Sequence, residues 1–238
     1  MAEIRKYADL PATAEAIAEA LLTRLAELLG QQREVHLAVT GGTLGIALLA
    51  ATAKNAKLKT VDWSRVNVWW GDERFVAADS ADRNDGQAIR ALFHLLPQAK
   101  LHQMPADDGL PLEFATVEFL NYAAEFAVDG AIPFDITLLG MGPDGHVASL
   151  FPDRPIPPAE MPVVPVHDSP KPPPQRISFN YGALNASDEI WFVVAGADKA
   201  EAVAVAHSAE KAKLPAGRVL GKSKTIWFLD EAAASLLG

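Results

Sequence analysis

An aspartate and a histidine stand two residues apart in the stretch Leu139-Gly140-Met141-Gly142-Pro143-Asp144-Gly145-His146-Val147-Ala148-Ser149-Leu150-Phe151-Pro152. A carboxylate beside an imidazole is an arrangement suited to general-base chemistry near neutral pH. The apolar run Phe134-Asp135-Ile136-Thr137-Leu138-Leu139 precedes it and reads as a buried strand. Open α/β sheets place their ligands at the carboxyl ends of strands. Glycines there allow positive φ and a close approach of ligand to backbone. The pattern predicts small-molecule chemistry; a glycine turn with a solvated histidine is the plain alternative.

Two nucleotide-like motifs fail on context. Gly140 to Gly145 satisfies G-x-G-x-x-G, but only His146 to Phe151 come before Pro152, too few for the long helix that motif needs. Gly221-Lys222-Ser223 resembles the end of a P-loop, yet the required glycine at 216 is Ala216.

Three further groups sit at predicted strand ends. Thr40-Gly41-Gly42-Thr43 lies between a strand and a helix, where N–H groups and a hydroxyl make an anion site or an ordinary turn. Asp72-Glu73-Arg74 comes after Trp70-Gly71 and lines a cleft edge or a solvated loop. Asp82-Arg83-Asn84 is shortly downstream; Asp82 and Asn84 read as structural, with a cap at the helix start. Arg176 and Lys199 are cations beside strand ends, suited to a phosphate or merely to the surface. The other histidines have no metal-like spacing.

The elements that must position these residues alternate. Helix periodicity runs from Pro11 through Ile17, Leu21, Leu25 and Leu28 to Gly30. Strands are predicted at 35–40, 66–70, 101–104, 134–139, 176–179, 190–194 and 225–229. Helices are predicted at 44–54, 84–96, 111–128 (Phe114, Val117 and Leu120 or Phe119 inward) and 198–208, with a short one at the end. Ten of the 17 prolines fall between Pro152 and Pro174, which excludes a regular helix there; Val163 to Val166 is apolar enough for an edge strand. The alternation predicts an α/β fold: one Rossmann-like domain over 1–238, a mostly parallel sheet with helices on both faces.

Composition narrows the classes. Half of the 238 residues are hydrophobic, so a sizeable core is available. A net charge of −9 argues against non-specific nucleic-acid or anionic-membrane partners, but a few focused cations can still hold an anionic substrate. With no cysteine, disulfides and Cys-based metal sites are excluded. No secretory signal or membrane-length run is visible, and a cytoplasmic protein is expected. A monomer is compatible with the sequence, which does not set the oligomeric state.

The quoted motifs, taken in order, resemble the 6-phosphogluconolactonases. Leu139 to Pro152 carries the most specific likeness. Thr40-Gly41-Gly42-Thr43, Gly71 to Val76, Arg83-Asn84, Arg176-Ile177-Ser178 and Gly196 to Ala200 fall in the same order. Leu44 stands where such proteins often have proline, and Asp82-Arg83-Asn84 where they often have Ser-Asn. The resemblance implies hydrolysis of a sugar-phosphate lactone, 6-phospho-D-glucono-1,5-lactone, without cofactor or metal. It implies catalytic roles for His146, Asp144 and Arg74. It implies substrate contacts from Gly41, Gly42, Thr43, Asp72, Arg83, Gly142, Arg176 and Lys199, with the phosphate on Gly42, Thr43, Arg176 and Lys199. The glucosamine-6-phosphate deaminase-type isomerases are similar, but look for Asn-Glu-Pro after the histidine; this chain has Ser149-Leu150-Phe151-Pro152. A non-catalytic sugar-phosphate sensor would be expected to lose His146 or gain a DNA-binding segment, and neither is seen.

Overall fold

Seven parallel strands form the central sheet of the computed structural model, which describes residues 2–31 and 33–237. In chain order the elements are β1 (Glu3–Tyr7), α1 (Leu10–Leu29), β2 (Val35–Val39), α2 (Gly42–Lys54), β3 (Val66–Trp70), β4 (Asp72–Arg74), α3 (Asn84–Ala91) and β5 (Lys100–His102). Next come α4 (Leu112–Ala124), β6 (Ile136–Leu139), β7 (Val163–Val166), β8 (Arg176–Phe179), α5 (Tyr181–Asn185), β9 (Glu189–Val194), α6 (Ala200–Ala206) and β10 (Lys224–Asp230). The sheet order is β1-β10-β9-β6-β2-β3-β5. The chain builds outward from β2 through β3 to β5, then returns to the other side of β2 with β6. That reversal is a topological switch point, where the connecting loops part and leave a crevice.

Alternation along each strand divides the core. Trp69 faces one layer with Phe119, Phe134 and Phe179, while Trp70 faces the other with Leu21, Leu48 and Phe93. The α1 stripe Ile17, Leu21, Leu25 and Leu28 is buried as its spacing predicts. Asp9 starts that helix, its Oδ1 accepting the Ala12 N–H at 2.8 Å. In α4 the rotation differs from the predicted one. Leu112, Ala115, Phe119 and Ala123 face inward, whereas Phe114 and Val117 are 67% and 52% exposed. Small alanines let the helix lie close to β7 and β8, which a Phe114–Val117 face would prevent.

Other differences concern short elements. The edge strand β1 is polar enough to escape a hydrophobicity pattern, yet it pairs with β10 along its length. Asp72 to Arg74, read as a loop, is a strand in a second, antiparallel sheet ordered β4-β8-β7. The chain end forms turns where a short helix was predicted; Asp230 Oδ1 accepts the Ala233 N–H at 2.7 Å, and the segment is too short to propagate a helix.

Behind Trp69 lies a buried polar cluster. His102 stacks on the indole with ring centroids 4.0 Å apart. Its Nε2–H donates to Asn67 Oδ1 at 2.9 Å, and its Nδ1 accepts from the Tyr122 hydroxyl at 2.5 Å. Neutral imidazole satisfies both bonds, and burial pushes its pKa from 6.5 down to about 4. The unfolded chain accepts a proton near 6.5 that the folded chain refuses, so acid favours unfolding. The unfolding free energy should therefore fall as pH drops from 6.5 towards about 4, and His102→Gln should flatten that slope in denaturant titrations run at several pH values.

Candidate active site

Four adjacent strands, β9, β6, β2 and β3, deliver their carboxyl ends to one edge of the sheet. The loops leaving them enclose a cavity of about 460 Å³. Its wall includes Gly41, Gly42, Thr43, Asp72, Arg74, Gly142, His146, Arg176 and Lys199. Ten of the eleven side chains or glycines singled out from sequence are thus within or beside one crevice, Asp144 through its bond to His146. Arg83 is the exception.

The first loop opens α2. Gly42 takes φ +80°, a conformation that favours glycine, as the chain turns from strand into helix. No side chain caps α2, so its first N–H groups remain available to an anion in the cavity.

The Asp-Glu-Arg segment divides its labour. Asp72 faces the cavity, and its Oδ2 accepts from the Ser149 hydroxyl at 2.6 Å. Glu73 points the other way and is 1% exposed. Its carboxylate accepts N–H groups from Arg74 (2.7 Å), Asn84 (2.7 Å) and Asp85 (2.8 Å). It thereby caps α3, the role that the sequence assigned to the Asp82-Arg83-Asn84 segment itself. Burial pushes Glu73 up to about 7, against the pull of those N–H donors and of Arg83. Arg74 lines the cavity and donates to the Asp82 carbonyl.

Arg83 requires a correction: it is 2% exposed and turned away from the cavity. It is bidentate to Asp85 and also donates to the carbonyls of Met104 and Pro105. Beside it, Asn84 donates from Nδ2 to the Asp72 carbonyl at 3.0 Å. It lines the cavity while holding the loops together.

The residues just after the Asp144–His146 turn anchor it in the core. Val147 is fully buried, and Leu150 and Phe151 nearly so. His146 Nδ1 lies 2.5 Å from Asp144 Oδ1, and the Phe151 ring centroid is 4.7 Å from that of the imidazole. A Cβ at Gly142 would overlap both the imidazole and Asp144 Oδ1, so only glycine lets the ring lie down over the chain. Burial lowers the His146 pKa below its ordinary 6.5; the Asp144 bond offsets part of this, and the Lys171 charge adds to it. Burial works upward on Asp144, but its bonds to His146 prevail and hold it below the ordinary carboxylate range. At neutral pH the geometry fits a neutral imidazole with Nδ1–H donating to Asp144 and Nε2 free to accept a proton.

The two cations differ. Lys199 pairs with Asp198 at 2.6 Å on the cavity wall. Arg176, expected to reach a phosphate freely, is 5% exposed and largely engaged. Its Nε donates to the Pro173 carbonyl at 3.0 Å and its Nη2 to that of Lys171 at 2.9 Å. Only Nη1 remains towards the cavity, 3.8 Å from Asp72. Sequence reasoning gave Ser149 no role although it lies within the Leu139–Pro152 stretch, and passed over Lys171, which lies outside the quoted motifs. Among the described residues, no cluster of three His, Asp or Glu is placed to hold a metal ion, and no helix is long and apolar enough to cross a membrane.

A family model described as glucosamine-6-phosphate isomerases/6-phosphogluconolactonase matches residues 8–227. The chain belongs to this family. The 6-phosphogluconolactonase of Streptomyces coelicolor is 42% identical over 242 residues, 97% of this chain and 93% of its own length. That of Mycobacterium tuberculosis is 38% identical over 243 residues, 98% of each chain. The crystal structure of 6-phosphogluconolactonase from Thermotoga maritima superposes with a TM-score of 0.81 at 27% identity, covering 97% of this chain and 100% of that one. For a chain of the isomerase/lactonase family, the segment after the histidine is informative: where the isomerase-type motif has Asn-Glu-Pro, this chain has Leu150-Phe151-Pro152, and the Phe151 ring lies against the imidazole.

Glu73 generates a prediction separable from catalysis. Glu73→Gln replaces one acceptor oxygen with an amide that confronts N–H donors. It should destabilise the protein by about 1–3 kcal/mol, the usual cost of a buried polar group left unmatched. A lowered urea midpoint at unchanged slope would register this.

Proposed function

We propose that the protein hydrolyses 6-phospho-D-glucono-1,5-lactone to 6-phospho-D-gluconate, the lactonase step of the pentose phosphate pathway. The observation that carries the mechanism is the Nδ1–Asp144 bond of His146 in a cavity built from strand ends. It supports His146 Nε2 as the base. In this reading Nε2 takes a proton from water as the water oxygen attacks the lactone carbonyl. The tetrahedral intermediate then expels the ring oxygen, which receives that proton back from the imidazolium. Asp144 keeps the ring oriented and stabilises the transient imidazolium. Arg74 offsets negative charge developing on the former carbonyl oxygen.

The phosphate lies in this reading between the first N–H groups of α2, the Thr43 hydroxyl and Lys199. Gly41, Asp72 and Gly142 contact the sugar. Ser149-Leu150-Phe151-Pro152, in place of the Asn-Glu-Pro that isomerase-type chains have after the histidine, favours lactone hydrolysis over isomerase-type ring opening. The reading includes a single lactonase domain over 1–238, at work in the cytoplasm. The pairing of β1 with β10, near opposite ends of the chain, supports the single domain.

His146→Ala should leave the fold intact and lower kcat/KM by about 10²–10⁴-fold, after correction for spontaneous hydrolysis. Near-normal turnover in a folded variant would remove His146 from the mechanism. In the wild type, activity should rise with pH as the imidazole loses its proton, with the midpoint below 6.5. A limb rising only above 7 would contradict a buried, easily deprotonated base.

Lys199→Ala should weaken use of the phosphorylated lactone by about ten- to a hundred-fold, the worth of one charge-assisted bond. Unphosphorylated gluconolactone should be affected much less. Equal losses on the two substrates would assign Lys199 to the architecture of the site instead.

A further inference from the structure

The segment Ser169-Pro170-Lys171-Pro172-Pro173-Pro174-Gln175-Arg176 has four prolines and hence few N–H donors of its own. Its carbonyls must be satisfied from elsewhere. Arg176 supplies that need, donating to the carbonyls of Lys171, Pro172 and Pro173 at 2.9, 3.4 and 3.0 Å. The Ser169 hydroxyl donates to the same Lys171 carbonyl at 2.8 Å, and the Ser169 N–H to that of Pro174 at 3.0 Å. The backbone of Lys171 is therefore held from two sides, while its side chain is exposed on the cavity wall.

We infer that Lys171 is a phosphate-binding residue of the site and that Arg176 is a positioning residue acting through it. The inference rests on the lactonase reading for the identity of the substrate. Lys171 makes no ion pair among the described residues, whereas Lys199 is paired with Asp198. Of the two lysines that a phosphate dianion meets in the cavity, one is thus already offset and one is not. Lys171 lines the same cavity as His146, Asp198 and Lys199, so its charge faces the space shared by the base and the Lys199 end of the cleft. A lysine on a flexible stem could not be kept there by a mobile loop; a loop pinned through three carbonyls by one guanidinium can do so.

The test combines turnover with binding of 6-phosphogluconate, measured by calorimetry on the intact protein. Lys171→Ala should raise KM for the phosphorylated lactone, and the Kd for 6-phosphogluconate, by about ten- to a hundred-fold. The effect on kcat should be much smaller, and Lys171→Arg should recover most of the loss. Removing this cation should also move the acidic limb of the pH profile upward. Arg176→Ala should raise KM in the same direction, and the double variant should be no worse than Lys171→Ala alone. Should Arg176→Ala fold poorly, Ser169→Ala loosens the same carbonyl. It should give a smaller rise in KM that vanishes in the Lys171→Ala background. Wild-type Kd and KM in Lys171→Ala, or losses that multiply in the double variant, would overturn the inference. If the wild type binds 6-phosphogluconate in a Lys171-dependent way yet hydrolyses no lactone, the functional reading fails and this inference stands. If the wild type does not bind 6-phosphogluconate, both fall.

Discussion

The buried Glu73 carboxylate is the interaction on which the cleft depends. It gathers three backbone N–H groups at the junction of β4 and α3. That junction fixes Asn84, whose amide holds the Asp72 carbonyl and whose side chain lies against Gly41 of the first loop. Asp72 in turn holds Ser149, three residues beyond His146. One carboxylate away from the cavity thus sets the relative position of the glycine loop, the acidic strand and the histidine turn. A buried carboxylate without such donors would be costly; with them it becomes a rigid joint.

The electrostatics of the base arise from two opposed effects. Burial against Phe151 and the loop favours neutral imidazole, while the Asp144 carboxylate favours the charged form. Burial prevails, which leaves the ring ready to accept a proton at neutral pH. The same carboxylate can then stabilise the imidazolium once it forms. The pair needs the empty space above Gly142, and the lack of a side chain there is as functional as the ring itself.

An acidic protein can still hold an anion where its cations are focused. The net charge of −9 belongs to the whole chain, whereas Arg74, Lys171, Arg176 and Lys199 converge on one cavity. These cations are not equivalent. Arg176 is buried and bound to carbonyls, and Lys199 is paired. Lys171 is exposed, on a segment whose prolines make it dependent on Arg176. Proline density, which reads as mere irregularity in a sequence, here creates a demand for donors that one arginine meets.

Much was legible from sequence because it is local. Buried strands are apolar runs, α1 carries its period in Ile17, Leu21, Leu25 and Leu28, and a loop after each strand collects the glycines, charges and His146. Those patterns determined the α/β class and the crevice at the strand ends, and they named most of the residues that line it. What only the tertiary structure decided depends on distant partners. The inward face of α4, the pairing of Asp72–Arg74 with β8, and the burial of Glu73 and Arg83 all turn on which surface packs against which. Arg83 and Arg176 look alike as cations near a loop. One caps its charge on Asp85 and the other on backbone carbonyls, because a buried guanidinium must be matched donor by donor. Sequence spacing reports which residues can reach a strand end, but the three-dimensional supply of acceptors determines which charges remain free for a ligand.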